Sequence, residues 1–235
     1  MSLFFRLFGG EETSRLSEIR EKVQKMLAND RREFDLAMSA LMGDVPWDQV
    51  SGQIRKLDRE VNRLEREIRR QLLVHASVFG AIETPAVLVY MSIVKDIERV
   101  GDYAKNLVDL ARDGATFTGI PTEETWRNVW WGQVAELITE GAAAFHAWDG
   151  DRCRALLAQG DELLDQCDAR VSAIVRGEDT GEHLVARALA LRFVKRVIAH
   201  MMNVMTAVVM PMDQLDYFDE DPEDRKDDTG QSSTT

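Results

Sequence analysis

Seven apolar residues, Val50, Ile54, Leu57, Val61, Leu64, Ile68 and Leu72, recur in alternating steps of four and three. That spacing is the seam of a helix packed lengthwise against other helices, and a strand with its period of two cannot produce it. The residues between are largely charged, so only one stripe is offered to a core. A helix of about 30 residues from Pro46 to His75 with a single buried face must find partners elsewhere in the chain.

The flanking sequence supplies them. Helical spacing covers residues 12 to about 42 through Leu16, Ile19, Val23, Met26, Leu27, Phe34, Met38 and Leu41, with Thr13 or Ser14 as an N-cap and Gly43-Asp44-Val45-Pro46 as the stop. Glu83-Thr84-Pro85 opens a third helix, with Thr84 as cap and Pro85 in the first turn, and Asp113-Gly114 ends it. A fourth runs from near Pro121-Thr122-Glu123 past Trp126, Trp130 and Trp131 to Trp148, and a fifth from about Asp151 to Arg176. The sixth, from about Glu182 to Met210, is apolar nearly all round, which predicts burial on several sides.

No strand pattern interrupts these six, so the chain reads as all-α. It also reads as a duplication. Asp58-x-x-Val61-Asn62-x-x-Glu65 in the second helix returns as Asp161-x-x-Leu164-Asp165-x-x-Asp168 in the fifth, and Ile97-Glu-Arg-Val…Asn106 in the third returns as Val194-Lys-Arg-Val…Asn203 in the sixth. The offsets are 103 and 97 residues, giving two tandem three-helix repeats over 12–114 and 115–212. An apolar segment at 1–11, with Phe4, Phe5, Leu7 and Phe8, precedes them. An acidic tail at 213–235 follows, with nine acids against Arg225 and Lys226 and a composition that predicts disorder. The apolar start is expected to dock on the protein itself, the alternative being a membrane or a permease's inner face.

Within the third helix, Glu98, Asp102 and Asn106 recur every four residues and form a ladder of oxygen-bearing side chains on the polar side of the stripe Ile93, Ile97, Val100, Ala104, Leu107 and Ala111. A solvated polar face is the ordinary explanation of such a ladder. Gly101 argues against that bland reading, because a glycine inside a helix costs about 1 kcal/mol relative to alanine. Its presence predicts that something approaches the backbone closely there.

Glu98-Arg-Val-Gly-Asp-Tyr-Ala-x-Asn106 resembles the motif of the PhoU family, cytoplasmic regulators of bacterial phosphate uptake, and the resemblance extends over roughly residues 12–212. It implies two tandem three-helix bundles, and metal sites formed by acid-x-x-x-acid or -Asn pairs on neighbouring helices. Iron, zinc, manganese or magnesium are the implied metals, and oxygen donors one helical turn apart suit hard or borderline ions. The matching residues are Asp58, Asn62, Glu65, Glu98, Asp102 and Asn106. In the second repeat Asp161, Asp165 and Asp168 persist, while Lys195 and Ala199 replace the expected Glu and Asp, leaving His200 and Asn203 as weaker candidates, with His200 equally readable as a core or interface histidine. A lysine among those carboxylates predicts an ion pair in place of a second metal site.

The implied partners are a phosphate ABC transporter ATPase and a sensor histidine kinase, whose activity such a regulator restrains when phosphate is ample; a homodimer is a further expectation. A Pit-type phosphate permease is the alternative partner, and a metal-free helical interaction protein the third reading. Net charge of −12 argues against nucleic acid. Lacking an apolar run long enough for a bilayer or a leader with a cleavage site, the sequence predicts a cytoplasmic location, with peripheral contact at the membrane's inner face. No catalytic motif emerges: none of His75, His146, His183 and His200 has a glutamate three residues before it, and there is no phosphate-binding glycine loop. An enzyme is therefore not expected. Cys153 and Cys167, on one predicted helix about 21 Å apart at 1.5 Å per residue, are expected to be free thiols.

Overall fold

A computed structural model describes residues 14–79, 83–211 and 215. The apolar start and the acidic tail lie outside the described residues, apart from Leu215. Six long helices follow in the anticipated order: α1 (Ser14–Leu41), α2 (Trp47–Phe79), α3 (Thr84–Arg112), α4 in three consecutive segments (Glu123–Thr125, Trp126–Gln133 and Val134–Ala147), α5 (Gly150–Val175) and α6 (Leu184–Val209). The described residues are all-α, in two tandem three-helix bundles.

All seven seam residues of α2 are buried, facing α1 and α3. Ion pairs fix the register of α1 against α2: Lys22 Nζ lies 3.6 Å from Glu67 and Lys25 Nζ 2.6 Å from Glu60. α2 runs four residues past the His75 expected from the pattern, because no glycine or proline intervenes before Gly80. The extra turn carries Val78 and Phe79 into solvent, beside the exposed Leu73 and Val74 of the turn before it.

In the second bundle α6 packs against α4 and α5 and also against α3, so its all-round apolar character has a use on each side. Contacts of α3 with α6 and of α1 with α4 join the bundles, and one hydrophobic core runs through both. α5 is capped by Asp149, whose side chain accepts from the Arg152 backbone N–H at 3.1 Å. The middle segment of α4 is a π-helix, a widened turn that sequence spacing does not reveal. It buries Trp126 and Trp130, with the Phe117 ring tilted against Trp126 at 4.5 Å, and lets Trp131 Nε1 donate to Asp35 at 2.8 Å. Both cysteines are buried free thiols, and burial pushes each up to about 12. Among the described residues no helix is long and apolar enough to cross a membrane.

Candidate metal centre on the first bundle

α2 and α3 lie side by side, so the polar flank of the α2 seam meets the α3 ladder. Their carboxylates converge through a cation. Lys105 Nζ stands 2.6 Å from Asp58 Oδ1 of α2 and 2.8 Å from Asp102 Oδ1 of α3. Two carboxylates favour the charged form of the lysine and hold its pKa above the ordinary value, although its partial burial, the largest single influence, works the other way. Asn62 Nδ2 donates to Asp58 Oδ1 at 3.1 Å and to the Asp58 carbonyl at 2.9 Å, which fixes that carboxylate. Glu98 is half-buried and takes Lys95 at 2.6 Å; Asp102 also takes Arg99 at 3.1 Å. Glu65 is buried and pairs with Arg69 at 3.1 Å, and Asn106 is half-buried one turn beyond Asp102.

Beneath this face the close approach anticipated at Gly101 has an identified cause. Asp30 and Glu33 of α1 face it: a β-carbon at position 101 would lie 3.0 Å from Asp30 Oδ1 and 3.4 Å from Glu33 Oε2. Both acids are fully buried, and none of their four carboxylate oxygens has a hydrogen-bond partner. Burial raises Asp30 well above the usual carboxylate range, helped by Glu33, Glu98, Asp58 and Asp102. Burial likewise raises Glu33 to about 8, with Asp58 and Asp102 adding to it and Lys105 opposing.

Asp30 and Glu33 were missed by the motif. Their signal lies in the α1 stripe, which steps inward through Val23, Met26 and Leu27 to Phe34 and Met38, with Asp30 and Glu33 on the inward steps between. An acid at a seam position is a buried polar group requiring a partner.

The donor set fits a hard cation: it is all oxygen, rich in carboxylate, and contains orphaned buried oxygens. Among the described residues no three His, Cys, Asp or Glu side chains already surround one point. Lys105, Lys95 and Arg99 are each paired with these carboxylates, so a metal would have to displace them.

The second bundle is different. Lys195 Nζ pairs with Asp168 at 2.5 Å, and Arg192 reaches the same carboxylate at 3.3 Å. Asp161 is half-buried beside a shallow cavity of about 300 Å³ shared with Arg154, Leu157 and Met210, and Asp165 is exposed. His200 and Asn203 do not join these acids, and His200 takes the interface place that was open to it. Both turn to α3, where Asp96 Oδ1 accepts from Asn203 Nδ2 at 3.0 Å and lies 2.8 Å from His200 Nδ1. The His200 ring stacks on Tyr103 at 5.7 Å. The α6 face carrying them is the one that docks on the first bundle, which no single-helix pattern discloses.

Two tandem three-helix bundles with a carboxylate face on the first define an all-α helical-bundle protein. Comparisons with known proteins narrow the class. The PhoU domain family matches residues 16–111, which is the first bundle. A phosphate-specific transport system accessory protein PhoU homolog from Synechocystis is 22% identical over 198 residues, 82% of this chain and 87% of its own. The corresponding Deinococcus radiodurans protein is 29% identical over 195 residues, 78% of this chain and 87% of its own. Among solved structures, PhoU from Pseudomonas aeruginosa superposes with a TM-score of 0.69 at 22% identity, covering 83% of this chain and 95% of that one. The phosphate transport system regulatory protein PhoU from Streptococcus pneumoniae gives 0.65 at 16% identity over the same shares. The first bundle matches the PhoU domain, and the chain resembles PhoU proteins over about four-fifths of its length.

Proposed function

We propose that this protein is a PhoU-like accessory regulator of phosphate transport: a non-catalytic, cytoplasmic, metal-binding adaptor that restrains phosphate uptake and its two-component signalling when phosphate is ample. Its proposed partners are a phosphate ABC transporter ATPase and a sensor histidine kinase, met at the inner face of the membrane, with a homodimer as the proposed assembly. Likeness to proteins named for the phosphate-specific transport system, over about four-fifths of the chain, supports the role.

The observation that carries the metal part is the meeting of Asp58 and Asn62 on α2 with Asp102 on α3 around a single positive charge. Asp58, Asn62, Glu65, Glu98, Asp102 and Asn106 would hold iron, zinc, manganese or magnesium there. A bound cation would neutralise the face and tie two helices together, stiffening the adaptor for docking. The second bundle, with Lys195 in an ion pair, is assigned a contact role without metal.

The test is capture of partners by the full-length protein from membranes of phosphate-replete cells, beside Glu98→Ala plus Asp102→Ala, with metal analysis of both. Recovery of a phosphate transporter ATPase and its kinase by the metal-loaded wild type, and loss of metal in the double variant, is the expected result. A Pit-type permease recovered instead would redirect the regulator to that transporter. Identical metal content and identical capture in both proteins would remove the site from the function.

A further inference from the structure

The outer carboxylates leave unexplained the two acids under them. Asp30 and Glu33 are fully buried, and all four of their oxygens lack a donor. Burying a carboxyl without a hydrogen bond is unfavourable, and a stable core does not carry two such groups without cause. Their surroundings are specific. They press against Gly101, the residue preceding Asp102, and Asp30 feels the charges of Glu98, Asp58 and Asp102 together.

The second bundle serves as an internal control. At the repeat offset Gly101 becomes Ile198, Asp102 becomes Ala199 and Glu98 becomes Lys195. The buried face of α4's final segment, opposite α6, is Val134, Ala135, Leu137, Ile138, Gly141, Ala144 and Phe145, without an acid. The glycine and the α3 acids are present in the first repeat and replaced in the second, where α5 keeps Asp161, Asp165 and Asp168 but this buried face of α4 holds no acid. A stray core acid would not be expected to follow the outer ladder in this way.

We propose that Asp30 and Glu33 supply the inner oxygen donors of a hard divalent cation, held between α1 and the outer carboxylates Glu98 and Asp102, so that the first-bundle site is built from three helices. This rests on the metal reading above and deepens it. Four oxygens below and the α3 carboxylates above give the six or so oxygen donors that Mn²⁺, Fe²⁺ or Mg²⁺ prefer, with no nitrogen or sulfur to favour a softer ion. Gly101 is required because a side chain there would stand between the two tiers. The cation would supply the partner that the buried oxygens lack.

Mn²⁺ alone is the probe, titrated into full-length protein and followed by calorimetry and by the Mn²⁺ paramagnetic resonance spectrum. Three proteins are compared: wild type, D30N/E33Q and E98Q/D102N. The amides keep shape and volume, so the helix packing should survive. The expected result is at least tenfold weaker Mn²⁺ binding, or loss of a whole equivalent, in D30N/E33Q, with a Mn²⁺-induced rise in Tm seen only in the wild type. Wild-type affinity and stoichiometry in D30N/E33Q, with binding lost in E98Q/D102N, would overturn the inner tier while sparing the outer site. Absence of Mn²⁺, Fe²⁺ and Mg²⁺ binding by the wild type would overturn the metal reading of the outer site as well as this one. Should the double variant fail to fold, D30N alone gives the same comparison.

Discussion

Asp30 of α1 and Gly101 of α3 are in such close register that a β-carbon on the glycine would stand 3.0 Å from the Asp30 carboxyl oxygen, with Glu33 close behind. Helix propensity alone would make Gly101→Ala stabilising by about 1 kcal/mol. Here the methyl group must push a buried acid that has packed core behind it, and overpacking of that kind costs about 1–3 kcal/mol. The expected outcome is a net loss of about 1 kcal/mol, read from the midpoint of urea unfolding at unchanged slope. A gain near 1 kcal/mol would mean that the space above Asp30 has no structural or binding use.

The same two acids set a pH dependence in the metal-free protein. Glu33 is raised from 4.5 to about 8 by burial and by Asp58 and Asp102 against the opposing Lys105, and Asp30 is raised by burial and by Glu33. In the unfolded chain both lose their protons near the ordinary carboxylate values. Between those values and about pH 8 the native state therefore holds more protons than the unfolded state, so stability falls as pH rises through this window. Metal-free protein should melt at a higher temperature near about pH 5 than near about pH 8. D30N/E33Q, which cannot lose those protons, should flatten the difference. A stability that climbs steadily from acid to neutral pH in the wild type would mean that the pair is ionised and matched by a donor.

Much of this arrangement is legible in the sequence, and the limits are physical. The α2 seam and the Glu98-Asp102-Asn106 ladder are properties of single helices, which periodicity reports directly. Lys195 was readable as an antagonist of the second site because it sits in the repeated motif, and it does pair with Asp168. Asp30 and Glu33 belong to a helix outside the motif, and only their inward position in the α1 stripe marks them. Lys105 was hidden for another reason: it occupies a variable motif position, and its reach to Asp58 depends on which helices adjoin. His200 and Asn203 were grouped with the α5 acids because they share a repeat, whereas the docking of α6 on α3 turns them to Asp96. The π-helical Trp126–Gln133 segment leaves no periodic trace over eight residues.

Arg187 closes the start of α6. It is 2% exposed and gives Nη2 to Asp179 at 2.5 Å and to Thr122 Oγ1 at 3.1 Å, tying the α5–α6 turn to the entry of α4. Removing one partner of a buried pair strands the other, at a cost of about 3–5 kcal/mol. Asp179 is 12% exposed and keeps a distant Arg170 at 3.8 Å, so the lower end of that range applies. Arg187→Met should lower stability by about 3 kcal/mol, and Arg187→Met with Asp179→Asn by clearly less. Urea unfolding of the two variants measures the coupling directly. Equal losses in the single and double variants would show that the charge pair is incidental to the joint.

Lys105 is the residue through which the two faces of the candidate metal centre can be separated. Its ammonium lies between Asp58 and Asp102 at 2.6 and 2.8 Å, so a divalent cation drawing on those carboxylates must first displace it. In Lys105→Met the methylene stem is kept and the charge is lost. Without metal, two carboxylates then face each other across a partly solvated gap, and the loss should be about 1 kcal/mol, because exposed pairs are worth little. With Mn²⁺ the competition is gone and the site carries one more net negative charge, so affinity should rise several-fold, by up to about tenfold if roughly 1.4 kcal/mol of displacement is recovered. The metal-induced rise in Tm should grow in step, since a ligand confined to the native state stabilises it according to its affinity. Calorimetric titration of wild type and Lys105→Met at two salt concentrations checks this, the difference shrinking as salt screens the lysine. Unchanged Mn²⁺ affinity in the variant would mean that the cation sits deeper than the Asp58–Lys105–Asp102 bridge, held by Asp30 and Glu33 without help from α2.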